Sequence, residues 1–353
     1  MLTTLTSPTL LISRRRYRVN LDRMLGRARR HGVELRPHFK THQSATVSTD
    51  MLERGLRETT VTSLRMARQA RAFGWPATTI AMPLNPRELP ELRDFRATGE
   101  VSVFLADEEV AATFARQIGA ECRYFIELDA GYGRTGVPAG EISRLRSIIG
   151  AAGPERFRGF YVHSGHTYDV RGRTAITRIH RHLLGVVATL RSKFSDFPDL
   201  EFSVGDTPAC STQEEFRGLT SIGPGNFIYY DLVQETIGSN RREDIAVCAA
   251  LPVLQVAPER GEVVVHGGWT QLGKDRHADG HHGLAVRLEE DGSWDGSRVL
   301  GKVTKLSQEH GTIVLEAAAS GTIRAGEIIG VLPVHACAVV HNMRYVHREV
   351  FVD

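Results

Sequence analysis

Lys40 closes a short run, Val33-Glu34-Leu35-Arg36-Pro37-His38-Phe39-Lys40-Thr41-His42, in which an amine sits among imidazoles and hydroxyls. Pro37 forbids a continuous helix and biases Arg36 toward extended backbone, so Lys40 is expected near the end of a strand, where barrel enzymes place their chemistry. A lysine held among apolar neighbours such as Phe39 loses part of its preference for the charged form, which is what Schiff-base chemistry needs. A lysine in an arbitrary loop is usually just solvated. The reading therefore depends on what accompanies Lys40.

Four other segments could do chemistry. Glu127-Leu128-Asp129-Ala130-Gly131-Tyr132-Gly133-Arg134-Thr135-Gly136 combines flexible glycines with an arginine that can donate several hydrogen bonds. His163-Ser164-Gly165-His166-Thr167-Tyr168 carries two imidazoles and a phenol, and by itself fits a metal site or a hydrogen-bonded loop equally well. Ser203-Val204-Gly205-Asp206-Thr207-Pro208 and Ser221-Ile222-Gly223-Pro224-Gly225-Asn226 offer glycine amides and hydroxyls to an anion. A lysine facing two anion loops across one barrel mouth is the arrangement a pyridoxal phosphate site requires.

The elements that must position these residues alternate between short β runs and helices. The β runs are expected at 35–40, 58–61, 78–83, 101–105, 123–128, 157–163, 200–204 and 221–229. Helices are expected at 44–54, 63–73, 86–95, 107–118 and 174–194, with Ser63 and Asp107 at N-caps. Eight such units point to an α/β chain built on a (β/α)8 TIM barrel, with the two anion loops after strands seven and eight. Beyond residue 245 the runs are short and β-rich, and Asp291-Gly292, Asp295-Gly296 and Ser320-Gly321 are turn signals at strand spacing. The expected organisation is an arm at 1–20 that could join the β domain, a barrel at 21–240 opening with a helix at 21–31, and a small C-terminal β domain at 241–353.

Composition bounds the function. A chain of 353 residues with 41% hydrophobic and 24% charged residues has the make-up of a soluble globular protein. Its net charge of +3 and lack of a basic block argue against nucleic acid. Cys122, Cys210, Cys248 and Cys337 are too scattered for a disulfide framework, which suggests a reducing, cytoplasmic setting. In the first twenty residues the arginines follow the apolar Leu10-Leu11-Ile12 patch, so it is no secretory signal, and the patch is too short to span a membrane.

Taken together, Arg36 to His42, Gly133-Arg134-Thr135-Gly136, His163 to Tyr168, Ser203 to Pro208 and Gly223-Pro224-Gly225-Asn226-Phe227 resemble the alanine-racemase-type (fold type III) pyridoxal phosphate enzymes. The D-serine dehydratase and D-threonine aldolase group resembles the chain more closely, in order and over nearly its whole length. The resemblance implies Lys40 as the Schiff-base lysine, and Arg134 and His163 beside the cofactor ring. It also implies Tyr168 near the substrate, and Gly205, Thr207, Gly225 and Asn226 around the phosphate. A homodimer is implied as well, in which the β domain of one chain closes the barrel mouth of the other.

Ser307-Gln308-Glu309-His310-Gly311 and Pro333-Val334-His335-Ala336-Cys337 are similar to the C-terminal motifs of that group, where a His-x-Cys or His-x-Asp pair holds a divalent metal. On a strand His335 and Cys337 would face one way and reach one ion. Imidazole with thiolate favours zinc, while manganese and magnesium stay open. The chain departs from the group at His266-Gly267-Gly268-Trp269 and Leu272-Gly273-Lys274-Asp275, and Trp269 with the cluster His277, Asp279, His281 and His282 could reshape the pocket or add metal ligands. The resemblance implies a metal-assisted lyase of a small D-β-hydroxy amino acid, by dehydration to a keto acid and ammonia or by retro-aldol cleavage to glycine and an aldehyde; Cys337 leans toward dehydration. A racemase would need a second base for which no motif is visible. A non-catalytic pyridoxal phosphate carrier would lack the β domain.

Overall fold

The computed structural model describes residues 2–118, 122–344 and 348–353. Two compact units are present: Arg23–Gly225, and Met1–Asp22 together with Asn226–Asp353. The division falls between Gly225 and Asn226 rather than at 240/241. The reason is local: Ala246 N–H donates to Tyr229 O at 2.8 Å and Val233 N–H to Val334 O at 3.2 Å, which ties residues 226–240 to the C-terminal half.

In the first unit, eight parallel strands follow one another: Glu34–Leu35, Glu58–Val61, Ala77–Pro83, Glu100–Leu105, Arg123–Asp129, Phe157–Val162, Glu201–Val204 and Ser221–Ile222. The last pairs with the first, Ser221 opposite Glu34 and Ile222 opposite Leu35. A bridge between His38 and Thr60, with Phe39 N–H to Thr60 O at 2.8 Å and Thr60 N–H to Pro37 O at 3.0 Å, joins the first segment to the second. The expected TIM barrel is therefore present. Two of its strands are shorter than expected: 35–40 becomes two paired residues plus the His38 bridge, because Pro37 has no N–H to give the ladder. The run 221–229 stops at Ile222, and Asn226–Ile228 forms a 3-10 turn.

The helices between strands start where short polar side chains cap them. Ser63 accepts from Met66 N–H at 3.2 Å, Asp107 from Val110 N–H at 3.0 Å and Asp206 from Ala209 N–H at 2.6 Å. At the strand-start end of the barrel, Arg36 and Arg158 interleave with Glu58 and Glu201 at 2.6–3.0 Å. This charge lattice borders a cavity of about 220 Å³ at one end, lined by Glu58, Ser102, Arg123 and Arg158 among others, whereas Lys40 and the glycine loops follow the strand ends, where barrel enzymes place their chemistry.

The second unit is antiparallel except where Thr9–Ser13 runs parallel to Arg348–Val352. Strands Val247–Ala257, Glu262–His266, His310–Leu315, Trp294–Leu306, Gly283–Leu288 and Ile328–Pro333 pair in that order and return to Val247–Ala257, closing a ring. The strand Thr9–Ser13 adds to the same sheet between Val247–Ala257 and Arg348–Val352, so the N-terminal arm does join the β domain. The helix expected at 21–31 runs over Arg14–Arg30. Its start is set by Ser13 Oγ, which accepts from Arg16 N–H at 3.1 Å, and by Asp353, which accepts from Arg15 N–H at 3.1 Å. An acid supplied from the other end of the chain satisfies the helix's positive pole.

The segment carrying His335 and Cys337 is not a strand. Ile328–Pro333 ends first, and Cys337 lies in the opening turn of helix Ala336–Arg344. That helix begins there because buried Asp231 accepts from Ala336 N–H at 2.9 Å. Among the described residues no helix is long and apolar enough to cross a membrane.

Candidate active site

Lys40 is placed by its neighbours. Phe39 is fully buried, with its ring 4.9 Å from that of His42 and 6.0 Å from that of Phe73. That anchor leaves half-buried Lys40 next in line, its N–H directed at His38 Nδ1 at 3.4 Å and its carbonyl accepting from Gln43 at 3.1 Å. His38 is held well below the usual imidazole range, first by burial and then by the cationic Lys40 and Arg134 and the neighbouring imidazoles of His163 and His42, beside which a further positive charge is disfavoured. Burial likewise pushes His163 down to about 4, with Arg134 and Lys40 adding to the effect. These mutual influences gather Lys40, His163 and Arg134 at one end of the barrel. His163 Nδ1 is bonded to the Gly205 carbonyl.

The loop bearing Arg134 is shaped by Asp129, whose carboxylate accepts from the N–H groups of Gly131, Tyr132 and Gly133 at 2.9, 2.9 and 3.0 Å. Gly136 has φ of +103°, and a side chain there would press to 2.8 Å on the Leu128 backbone, so the loop admits only glycine. Arg134 lies 5.4 Å from the Tyr132 ring and 3.9 Å from buried Glu127, whose carboxyl burial pushes up. Tyr132 in turn meets His163 edge-on at 5.6 Å.

Opposite features belong to the two glycine loops. Tyr168, on the turn Gly165–Tyr168, accepts from Thr207 N–H at 3.1 Å. Thr207 Oγ1 is buried with no hydrogen-bond partner among the described residues. A side chain on Gly205 would collide with the Tyr161 hydroxyl, and one on Gly225 would approach Thr41 Oγ1 to 2.9 Å and His38 Cβ to 3.0 Å. The Gly205 and Gly223 N–H groups are spent in the barrel, on Val162 O and Val204 O at 2.9 and 2.7 Å. These two glycines thus let the Tyr161 hydroxyl pack close rather than supply donors, against the expectation from sequence. An orphaned buried hydroxyl beside a strip that excludes side chains fits a phosphate group.

In the second unit, His335 Nδ1 lies 3.4 Å from Asp275 Oδ1. Burial opposes a charge on His335, but hydrogen bonds with Asp275 and Cys337, and the charges of Cys337 and Asp231, hold it up to about 11. Asn226 donates to Asp231 at 2.6 Å and to Cys337 Sγ at 3.7 Å. An imidazole and a thiol surrounded by two carboxylates form a donor set that fits a divalent cation. His335 and Cys337 therefore come together, although on a helix start rather than a strand. The Asn226 side chain, expected near a phosphate, is committed to this second group. Trp269, Lys274, Arg276, His282 and Leu306 line a cavity of about 320 Å³, with Lys274 Nζ 4.7 Å from the Trp269 ring centre.

Sequence reasoning missed Asp231 and Tyr161, and placed Asp275 in a departing segment without giving it a role. Asp231 had a visible signal, since Asp-x-x-Gln at 231–234 opens a helix in which Asp231 accepts from Gln234 N–H at 2.9 Å. Asp275 and Tyr161 had none, because their neighbours are distant in sequence.

Comparison with known proteins gives this geometry a family. The alanine racemase N-terminal domain matches residues 12–232. The chain belongs to the alanine-racemase-like family. A serine dehydratase domain matches residues 246–348 of this alanine-racemase-like chain. D-threo-3-hydroxyaspartate dehydratase of Delftia sp. is 29% identical over 356 residues, covering 96% of this chain and 92% of that one. Its solved structure superposes with a TM-score of 0.90 at 26% identity, covering 99% and 96% of the two chains. A cysteine-to-alanine mutant of that enzyme, in the metal-free form, gives 0.89 at 25% identity over 99% and 95%. D-serine dehydratase of Dictyostelium discoideum is 25% identical over 295 residues, or 77% and 74% of the two chains. D-threonine aldolase from Filomicrobium marinum shares the fold, with a TM-score of 0.83 at 19% identity over 97% and 91%.

Proposed function

We propose that this protein is a pyridoxal phosphate-dependent, divalent-metal-assisted lyase that removes the β-hydroxyl from a small D-β-hydroxy amino acid, yielding a keto acid and ammonia. The observation that carries the reading is the pairing of two sites in one chain. Lys40 shares the barrel end with the orphaned Thr207 hydroxyl, and the His335 and Cys337 pair stands in the β unit. The comparisons add that relatives similar over most of the chain are dehydratases of such substrates.

Bound pyridoxal phosphate supplies an electron sink for the substrate α-carbon, and a divalent cation supplies a Lewis acid for the β-hydroxyl. Lys40 would hold the cofactor through its Nζ, and Thr207 would bind the phosphate. Lys40 Nζ would then take the proton from the substrate α-carbon. His163, kept neutral by burial and pinned on the Gly205 carbonyl, would offer an uncharged ring to the cofactor, with Arg134 nearby. Tyr168, fixed by the Thr207 N–H, would orient the substrate. His335 and Cys337 would hold the metal, with zinc favoured by thiolate ligation. We also propose a homodimer, as the family resemblance implies, in a reducing, cytoplasmic compartment, a reading supported by cysteines too few and too scattered for a disulfide framework.

The test is to incubate the protein with D-serine, D-threo-3-hydroxyaspartate and D-threonine, with and without chelator. Keto acid and ammonia that disappear on chelation support the reading. Glycine and aldehyde as the products, or turnover indifferent to metal, would overturn it.

A further inference from the structure

Outside the sites above, two histidines and an aspartate converge in the β unit. The loop between helix Trp269–Leu272 and strand Gly283–Leu288 closes on itself, with His277 N–H to His281 O at 2.8 Å and Gly280 N–H to His277 O at 2.9 Å. This closure brings His277 Nδ1 to 2.6 Å and His281 Nε2 to 3.2 Å from the same oxygen of Asp279. The three prospective ligand atoms lie within 4.8 Å of one another.

We propose that His277, Asp279 and His281 form a second divalent-cation site, separate from His335 and Cys337, that fastens this loop. Two imidazoles and a carboxylate make a nitrogen-rich set suited to zinc rather than magnesium. Three further observations support the assignment. His281 is buried to 4% exposure and its Nδ1 has no hydrogen-bond partner among the described residues, so its Nε2, turned into the cluster, must compensate the burial. The Thr236 hydroxyl lies 2.6 Å from His277 Nε2, which fixes the ring with Nδ1 inward, the outer partner that a ligating histidine requires. Lys302 holds the other oxygen of Asp279 at 2.8 Å and leaves Oδ1 to the histidines.

The same loop carries Asp275 and His282. His282 Nδ1 lies 2.9 Å from the Asp275 carbonyl, and the Asp275 carboxylate backs His335. A cation at the loop would therefore steady the residue behind His335; this consequence, unlike the site, rests on the proposed lyase reading.

The experiment loads the full chain with zinc alone, removes the excess by gel filtration and counts metal per chain. About two ions are expected in the wild type, about one in Cys337→Ala, about one in His281→Gln and none in the combination, with ligand loss weakening binding at least tenfold. Asp279→Asn, at an exposed position, gives the same readout should His281→Gln not fold. Cobalt in place of zinc should give ligand-field bands without a thiolate charge-transfer band in Cys337→Ala. A Cys337→Ala chain that keeps no metal, or an Asp279→Asn chain with the wild-type count and affinity, would overturn the site. Because the count is independent of turnover, failure of the lyase reading leaves this result distinct.

Discussion

Asn226 donates its side-chain amide to Asp231 at 2.6 Å, and both residues are buried. Asp231 also accepts from Ala336 N–H, so this pair fixes where the helix carrying Cys337 begins. Asn226→Ala leaves a buried carboxylate short of one donor and frees Cys337 from its amide contact. Metal affinity should fall by about 10- to 100-fold, as expected for loss of an outer partner, while visible absorbance of the bound cofactor stays at the wild-type level. Loss of cofactor with unchanged metal would show that Asn226 acts at the phosphate, as its sequence motif indicates.

Lys40 is the position on which cofactor attachment depends. The purified wild type should be yellow, and borohydride should fix the cofactor on the peptide containing Lys40. Lys40→Ala should be colourless after dialysis and at least a thousandfold slower, given the usual worth of a covalent and proton-transferring group. A borohydride adduct on another lysine of the variant would exclude the assignment.

The glycine strip gives a steric prediction. Gly225→Ala would set a methyl group 2.9 Å from Thr41 Oγ1 and 3.0 Å from His38 Cβ, closer than such contacts tolerate. Cofactor affinity, followed by absorbance titration, should drop at least tenfold. Thr207→Ala should weaken cofactor binding too, but without lowering the melting temperature of the cofactor-free protein, since its hydroxyl has no partner among the described residues to lose. Unchanged affinity in both variants would place the phosphate elsewhere.

How much of this was legible before the structure depended on the range of the interaction. The barrel could be read because each β/α unit carries its own period, and its caps, such as Ser63 and Asp107, sit within three residues of the groups they bind. Lys40 was legible because Pro37 limits the backbone locally. The start of helix Arg14–Arg30 was not, since its acid comes from Asp353. The His335 and Cys337 segment misled for the same reason: Ala-Cys-Ala-Val-Val suits strand or helix, and Asp231, more than a hundred residues earlier, decides. Glycines 205 and 223 read as anion donors, but strand neighbours had already claimed their N–H groups.

Buried histidines make the fold sensitive to acid. Burial lowers His38, His163 and His180 below the ordinary value of 6.5, with Lys40 and Arg134 facing the first two and the Glu215 carbonyl bonded to the third. Below that value the unfolded chain binds protons that the native chain refuses, so their contribution is intact above pH 6.5 and is lost as pH falls through the lowered native values, about 4 for His163. Each such proton steepens the loss by about 1.4 kcal/mol per pH unit. Urea midpoints from pH 7 to 4.5 should fall steeply, and His180→Gln should flatten the slope. Equal slopes for both proteins would show that His180 titrates normally.

Asp206 carries the opposite sign. Its carboxyl, buried beside the Thr207 loop, is pushed up to about 7 by burial, although Ala209 N–H and Thr167 Oγ1 bond to Oδ1 at 2.6 and 3.2 Å. Its second oxygen has no hydrogen-bond partner among the described residues. Between 3.8 and about 7 the native state holds a proton that the unfolded state releases, so stability from this group is present at low pH and declines as pH rises through that window. Asp206→Asn keeps an oxygen to cap Ala209 and removes the charge. Relative to wild type, the variant should gain nothing near pH 4 and should melt a few degrees higher at pH 8, the gain opening mainly between those values. Melting curves of both proteins across this range decide the matter: a variant less stable at pH 8 than at pH 4, relative to wild type, would mean that the Asp206 charge is stabilised in the fold.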